Sequence, residues 1–226
     1  MSPFSEELRA AAAAIWQAQH DHPFVRGLGD GTLPAACFRY WLKQDYRFLI
    51  EYCRVFAFAA GRAPDLATLT RLSELLHATA TGEMELHRRA AAEFGITAAE
   101  LEASEMGPTT RAYTDFLIRV ATTGEFAEIA AALLPCLWGF SEIGQALAAR
   151  GAPANRQYAA WIATYADPEF ARLAAWGREL VDRLAAEASA PTRQRMQEAF
   201  LISSRFELLF WEAAWRREGW PDRPLA

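Results

Sequence analysis

The sequence predicts an all-α fold, a single-domain helical bundle of about eight helices spanning residues 1–226. Along most of the chain, apolar residues recur three and four positions apart, which is the spacing of one face of an α-helix. No stretch alternates apolar and polar residues as a half-buried strand does. The breaks between periodic segments are short, and neither a repeat nor a low-complexity linker divides the chain.

Prolines and glycines set the predicted helix boundaries in the N-terminal part of the chain. The first helix begins at Pro3 and ends within His20–Pro23. The glycine-rich segment Gly27–Gly31 has no phosphate-binding pattern, so it is predicted to be a connecting loop. Two long helices follow, over residues 34–60 and about 65–94, and each begins or ends near a proline or a glycine.

The middle of the chain begins with a capping signal. Thr97 and Glu100 form a capping box for a short helix. A further helix is predicted from Pro108 to Gly124, and then a helix pair around Cys136 that ends at Arg150.

Three more signals define the C-terminal helices. Asn155 begins one helix, and Asp167 caps another that continues to about residue 188. After a break at Ser189–Pro191, the last helix ends before Gly219.

Composition excludes several classes of protein. The net charge of −5 and the lack of a basic stripe argue against a nucleic-acid partner. Three cysteines without CxxC spacing suggest neither a disulfide framework nor a zinc site. The longest uncharged run is shorter than the ~20 residues that cross a bilayer, and the first residues lack signal-peptide features. We therefore expect a cytoplasmic protein without a membrane partner.

The stretch Leu133–Gly144 contains the candidate nucleophile. Pro135 removes a backbone donor within a helical pattern, which predicts a kink beside Cys136. A thiol at such a position can act as a nucleophile. A buried free cysteine can equally pack as a small apolar side chain, and the local pattern alone leaves both interpretations open.

Two carboxylates lie on aromatic helix faces. Asp45 shares a narrow face with Phe48 and Tyr52, and Glu207 shares one with Phe210. Because burying a charge is costly without a partner, each carboxylate is either a paired structural group or a site residue.

One pair of residues has the spacing of metal ligands. Glu83 and His87 lie one helical turn apart, but the di-iron signature pairs Glu with His at i+3 and repeats the pair. The sequence contains no second copy, so no metal is predicted.

Five segments, taken in order, resemble the TenA/thiaminase II family between about Phe24 and Glu218. They are Gln44-Asp45-Tyr46-x-Phe48-Leu49 after Phe-x-x-Trp-Leu, Glu85-x-His87 with Phe94-Gly95-Ile96, Pro108-Thr109-Thr110-x-x-Tyr113, Leu134-Pro135-Cys136 to Glu142-Ile143-Gly144, and Ser203-Ser204-Arg205-Phe206-Glu207-x-x-Phe210-Trp211. The resemblance implies a haem-oxygenase-like fold and a homotetramer without a metal, haem or other cofactor. It also implies hydrolysis of thiamin-derived aminopyrimidines, which releases ammonia and gives hydroxymethylpyrimidine, and cleavage of thiamin itself.

The resemblance also assigns roles to residues. Cys136 matches the family nucleophile, and Asp45 and Glu207 match carboxylates that hold the pyrimidine and move protons. A buried carboxyl in apolar surroundings keeps a proton more readily, which favours Glu207 as acid/base and Asp45 as anchor. The predicted substrate-binding residues are Tyr113, Tyr165, Phe48, Phe140, Phe210, Tyr52 and His87. Family members often carry tyrosine at the positions of Phe48 and Phe140, so the exact pyrimidine stays open.

Two other functions compete with hydrolysis. Relatives on this fold bind haem, a quinone precursor or two irons, so an oxidative enzyme is one alternative; its conceivable ligands are Glu51, Glu83, His87 and Glu207. A non-catalytic ligand-binding protein is the other, and for that protein Cys136→Ser would leave ligand affinity intact.

Overall fold

The computed structural model describes residues 2–222, and over that range the chain is all-α, as predicted, with no strand. The helices are α1 (Phe4–Ala11), α2 (Ala13–Asp21), α3 (Pro23–Asp30), α4 (Ala35–Gly61), α5 (Leu66–Ala78), a π-helical turn (Thr79–Glu83), α6 (Met84–Glu93), α7 (Ala98–Ala103), α8 (Pro108–Thr123), α9 (Phe126–Ala148), α10 (Arg156–Tyr165), α11 (Pro168–Glu187) and α12 (Ala190–Arg216). Because α5, the π-helical turn and α6 are continuous, the described range contains eleven helices rather than about eight.

The helices group into two compact units. The first unit contains the chain up to residue 33 and residues 127–212, with α1–α3, α9–α11 and most of α12. The second contains residues 34–126 and the chain from residue 213, with α4–α8. One domain over 1–226 stays a prediction.

The N-terminal region holds more helices than predicted. The single first helix is wrong, because Ala12 (φ −95°, ψ 5°) separates α1 from α2. The connecting loop at Gly27–Gly31 is also wrong, because α3 covers most of it. A ring nitrogen of His22 accepts a hydrogen bond from the Phe24 amide (3.1 Å) and caps the start of α3. Gly31 ends the helix with a φ of 74°, a conformation that favours glycine.

The predicted boundaries hold well in the second unit. The helix predicted over 34–60 is α4, and the one predicted over about 65–94 is the α5–α6 run. Asp65 caps α5 by accepting from the Thr68 amide (2.7 Å), and Thr97 with Glu100 forms the predicted capping box of α7. The π-helical turn before α6 was not predicted.

In the first unit, the helix pair predicted around Cys136 is one continuous helix, α9, with Pro135 in its interior. By length and composition α9 could cross a membrane, with a mean hydropathy of 1.4. However, 72% of its most apolar stretch is buried within the structure, as is normal for a core helix of a protein in water. Asn155 and Asp167 cap α10 and α11 as predicted.

Candidate active site

The second unit holds a buried contact between a carboxyl of α4 and an imidazole of α6. Nε2 of His87 lies 2.5 Å from Oδ2 of Asp45, and both side chains are less than a tenth exposed. The other ring nitrogen, Nδ1, lies 3.1 Å from the carbonyl oxygen of Glu83. Among residues 2–222, His87 is the hydrogen-bond partner of Asp45, through Oδ2. Asp45 therefore has its structural partner and still has Oδ1 to offer a ligand.

Burial and the neighbouring negative charges shift the pKa of His87 in opposite directions. Burial of the imidazole works to lower the pKa of His87, but the hydrogen bond that it donates to Asp45 and the charges of Asp45 and Glu83 outweigh burial, and the pKa is raised. The carboxyl of Glu83 is half-buried, and mainly its burial raises its pKa to about 7.

Aromatic side chains of the second unit form a cluster, and another aromatic ring contacts His87. Phe48 stacks on Tyr52 with ring centroids 5.3 Å apart, and it contacts Tyr113 of α8 at 5.1 Å. Trp41 lies 5.7 Å from the His87 ring. All of these rings are buried. The second unit thus brings together Asp45 and His87, and it brings Phe48, Tyr52 and Tyr113 into one aromatic cluster.

The first unit holds Cys136, half-buried in the middle of α9. Pro135 has no amide hydrogen, so the hydrogen-bond ladder of the helix is interrupted one turn earlier. At that turn the hydroxyl of Ser203, on α12, donates to the carbonyl oxygen of Ala132 (2.8 Å). This buried hydrogen bond fixes the backbone turn that precedes the thiol.

Two predicted site residues meet between α9 and α10. The ring of Phe140 lies 4.9 Å from that of Tyr165, and it also contacts Trp211 at 5.1 Å. Gly144 permits this arrangement, because a Cβ there would lie 2.5 Å from the carbonyl carbon of Tyr165. The helices can approach this closely only where the side chain is a hydrogen atom.

The remaining predicted site residues of the first unit lie on α12. Glu207 and Phe210 are 3% and 4% exposed. Their shared face, predicted from spacing, is thus buried, and Glu207 is a carboxyl removed from bulk water.

The sequence profile of the TENA/THI-4/PQQC family matches residues 9–217. The chain belongs to this family. A family member from Halalkalibacterium halodurans, named aminopyrimidine aminohydrolase, is 42% identical over 96% of this chain and 97% of its own. A solved structure, the TenA homologue protein from P. horikoshii, has a TM-score of 0.89 at 29% identity and covers 95% of this chain and 99% of that one.

A more distant comparison concerns the fold alone. A solved domain from Shewanella denitrificans, described as having a heme oxygenase-like fold, superposes with a TM-score of 0.74 at 14% identity and covers 98% of both chains. The predicted fold type is therefore confirmed, as is the predicted family.

The pairing of His87 with Asp45 was not predicted. The sequence indicated that Asp45 needs a partner, and it placed His87 with Glu83 as a conceivable metal pair instead. Among the described residues, no group of three or more His, Cys, Asp or Glu side chains has the geometry to hold a metal ion. The available signal was chemical: a carboxylate that needs a partner, and one of only four histidines in the chain.

Proposed function

We propose that this protein hydrolyses thiamin-derived aminopyrimidines, releasing ammonia and giving hydroxymethylpyrimidine. The observation that carries the proposal is the 42% identity, over nearly the full length of both chains, to a relative named aminopyrimidine aminohydrolase. Cys136, Glu207 and Asp45 are the residues to which we assign the chemistry.

Cys136 is the proposed nucleophile. An aminopyrimidine ring is electron-poor, so the thiolate adds to a ring carbon while a ring nitrogen gains a proton. The exocyclic carbon–nitrogen bond then breaks, and the amine leaves with a proton as ammonia. Water adds its oxygen to the same exocyclic carbon, and the carbon–sulfur bond breaks to restore the ring and the thiol. The sum is one water consumed and one ammonia released.

The two carboxyls have different proposed roles. Glu207 is buried on the α12 face that carries Phe210, and a carboxyl in such surroundings is suited to hold a proton near neutral pH. We assign it proton transfer to the leaving amine and from water. Asp45 is paired with His87 through one oxygen, and its other oxygen is suited to accept a hydrogen bond from the exocyclic amine.

The proposal also covers the residues that line the substrate, the oligomeric state and the cellular location. Tyr113, Tyr165, Phe48, Phe140, Phe210 and Tyr52 are proposed to line the substrate. A homotetramer and a cytoplasmic location are proposed on the family resemblance. Leu209 and Trp215 are large apolar side chains with 47% and 37% exposure, which is consistent with burial by another subunit.

Ammonia release across a panel of aminopyrimidines, with thiamin included, tests the proposal. We expect the wild type to release ammonia and hydroxymethylpyrimidine in equal amounts from at least one member. Cys136→Ser should be folded, and its activity should fall by about a thousandfold or more. A purified wild type that binds these compounds but releases no ammonia would show that hydrolysis is wrong.

Steady-state kinetics of two variants test the roles of the carboxyls. Glu207→Gln should lower kcat sharply and leave KM nearly unchanged, because it removes an interaction made in the transition state. Asp45→Asn should also raise KM, because the anchor acts in the ground state as well. The reverse pattern, with normal kcat in Glu207→Gln, would exchange the two roles.

A further inference from the structure

The two ring nitrogens of His87 both face hydrogen-bond acceptors. The carbonyl oxygen of Glu83 can only accept, so Nδ1 must carry a hydrogen to bond it. An ionised Asp45 also only accepts, so Nε2 needs a hydrogen as well unless Asp45 itself is protonated. With a neutral imidazole and an ionised carboxylate, one of these two contacts would be repulsive. Both hydrogen bonds of His87 can therefore form together only when the Asp45–His87 pair carries one proton more than a neutral imidazole and an ionised carboxylate.

The side chain of Glu83 is the second acidic group that acts on His87. Its carboxyl is half-buried at the end of the π-helical turn, where it accepts a hydrogen bond from Thr79. Its negative charge favours the protonated imidazole. A π-helical turn often occurs at a functional site, and this one ends at the residue whose carbonyl oxygen holds Nδ1.

Within residues 2–222, few titratable groups of the neighbouring helices act on His87 and Glu83. The helix α4 contributes Asp45, which acts on both His87 and Glu83, and Cys53, whose pKa the Glu83 charge helps to raise. Among the described residues, no titratable group of α5 or α7 acts on His87 or Glu83. Besides Asp45, the carboxyl of Glu83 therefore acts on the proton of His87.

We propose that Asp45, His87 and Glu83 form a proton-holding triad in which His87 is a positioning residue rather than a substrate contact. His87 shares a proton with Oδ2 of Asp45 and thereby holds that carboxylate with Oδ1 free for the ligand. Glu83 raises the pH at which the shared proton is lost. Because both nitrogens of His87 are engaged by the protein, the imidazole has no N–H left to offer a substrate.

This inference rests on the proposed function only for the identity of the ligand at Asp45. When the shared proton is lost, the lone pair of Nε2 faces the carboxylate and repels it. The anchor is then displaced, so substrate binding should weaken at high pH while the chemistry at the thiol is not directly changed.

Nitrogen-15 NMR of the imidazoles tests the triad without substrate. The variants are Glu83→Gln, which keeps the size and the backbone carbonyl, and Glu85→Gln, a control on the same helix whose side chain is 54% exposed. The His87 signals are assigned by their loss in His87→Gln, or by through-bond correlation if that variant does not fold.

In the wild type at pH 7, both nitrogens of His87 should be protonated. In Glu83→Gln the midpoint of proton loss should fall by about one pH unit, because a neighbouring negative charge has been removed. The midpoint in Glu85→Gln should match the wild type. A singly protonated His87 at pH 7 in the wild type, or one midpoint shared by all three proteins, would overturn the triad.

The pH dependence of KM supplies the functional readout. The rise of KM at high pH should begin about one pH unit lower in Glu83→Gln than in the wild type and Glu85→Gln. An unshifted KM profile in Glu83→Gln would overturn the role of the triad at the anchor. If the wild type releases no ammonia, the proposed function fails, and the NMR titration still decides the triad.

Discussion

The three cysteines lie in three different surroundings. Burial raises the pKa of Cys37, whose thiol donates to the carbonyl oxygen of Trp215 (3.2 Å). Burial and the charge of Glu83 raise the pKa of Cys53 to about 11. Because the thiolate is the reactive form, neither of these thiols is suited to nucleophilic attack at neutral pH. Cys136 follows Pro135 and is half-buried, so a reagent has partial access to it.

We expect iodoacetamide to modify Cys136 at least about ten times faster than Cys37 or Cys53 at pH 7.5, with loss of activity that tracks the modification. Peptide mass spectrometry over time measures all three rates in one sample. Cys136→Ser is the control, and it should take up reagent slowly. Faster labelling of Cys37 or Cys53 with activity intact would contradict the assignment of the nucleophile.

At the level of single residues, the sequence predicted which side chain needs a partner but not which residue is that partner. Asp45 was identified as a buried carboxylate that needs a partner, because that follows from helix spacing and the cost of burying charge. Its partner, His87, is 42 residues away in sequence and belongs to a different helix. Periodicity describes each helix separately, so it cannot specify which face of α6 meets which face of α4.

At the level of helices, local propensity failed where tertiary contacts dominate. The glycines of α3 predicted a loop, yet a Cβ at Gly27 would lie 3.0 Å from the Cα of Leu33, so glycine is needed there for packing. In α9, the helix pair predicted around Cys136 is one continuous helix that runs through Pro135. The hydroxyl of Ser203 bonds the carbonyl oxygen of Ala132 at that turn, and this contact is between helices far apart in sequence.

The close approach of α9 and α10 leads to a stability prediction. Gly144→Ala should destabilise the protein by about 1–3 kcal/mol, because the new methyl group would overlap the Tyr165 backbone. Gly139→Ala on the same helix is the matched control, since among the described residues no atom outside its own stretch of helix lies within 4 Å of the added Cβ. Replacing that glycine should instead stabilise the helix by about 0.5–1 kcal/mol. Denaturant unfolding measures both, and equal effects of the two variants would contradict the packing argument.

At the level of the whole molecule, a carboxylate in the first unit makes stability depend on acid pH. Burial works to raise the pKa of Glu142, but hydrogen bonds from His20 (2.9 Å) and Arg9 (2.8 Å) outweigh it, and the pKa is lowered to about 2. This contribution is complete above the ordinary value of 4.5 and is lost as the pH falls towards 2.

We therefore expect Glu142→Gln to lower the free energy of unfolding by about 1–2 kcal/mol at pH 6, a figure reduced for the partial exposure of the pair. The difference from the wild type should shrink as the pH falls from 4.5 to 2. The exposed Glu74 pairs with Arg71 and provides the control, because Glu74→Gln should have little effect at any pH. A difference for Glu142→Gln that is constant with pH would contradict the ion-pair account.

We also predict that the protein is a homotetramer. The candidate interface aromatics near the end of α12 are Trp215 and Trp220. Trp215 is 37% exposed, whereas Trp220 is half-buried and its indole N–H donates to the carbonyl oxygen of Met106 (2.9 Å). Of these two tryptophans, Trp215 is the one with an exposed ring. Light scattering at micromolar concentration should give four times the chain mass, and Trp215→Ser should reduce the tetramer fraction. A monomeric wild type would contradict the prediction.

In the proposed reaction, Cys136 forms a covalent bond to the pyrimidine as ammonia leaves. Rapid-quench mass spectrometry of a single turnover, with wild-type enzyme in excess over an aminopyrimidine that it hydrolyses, tests this directly. The account predicts a transient adduct on the peptide containing Cys136, with the mass of the substrate less ammonia, which decays as hydroxymethylpyrimidine appears. Ammonia release at the wild-type rate by Cys136→Ser, with no adduct on any peptide of the wild type, would contradict it.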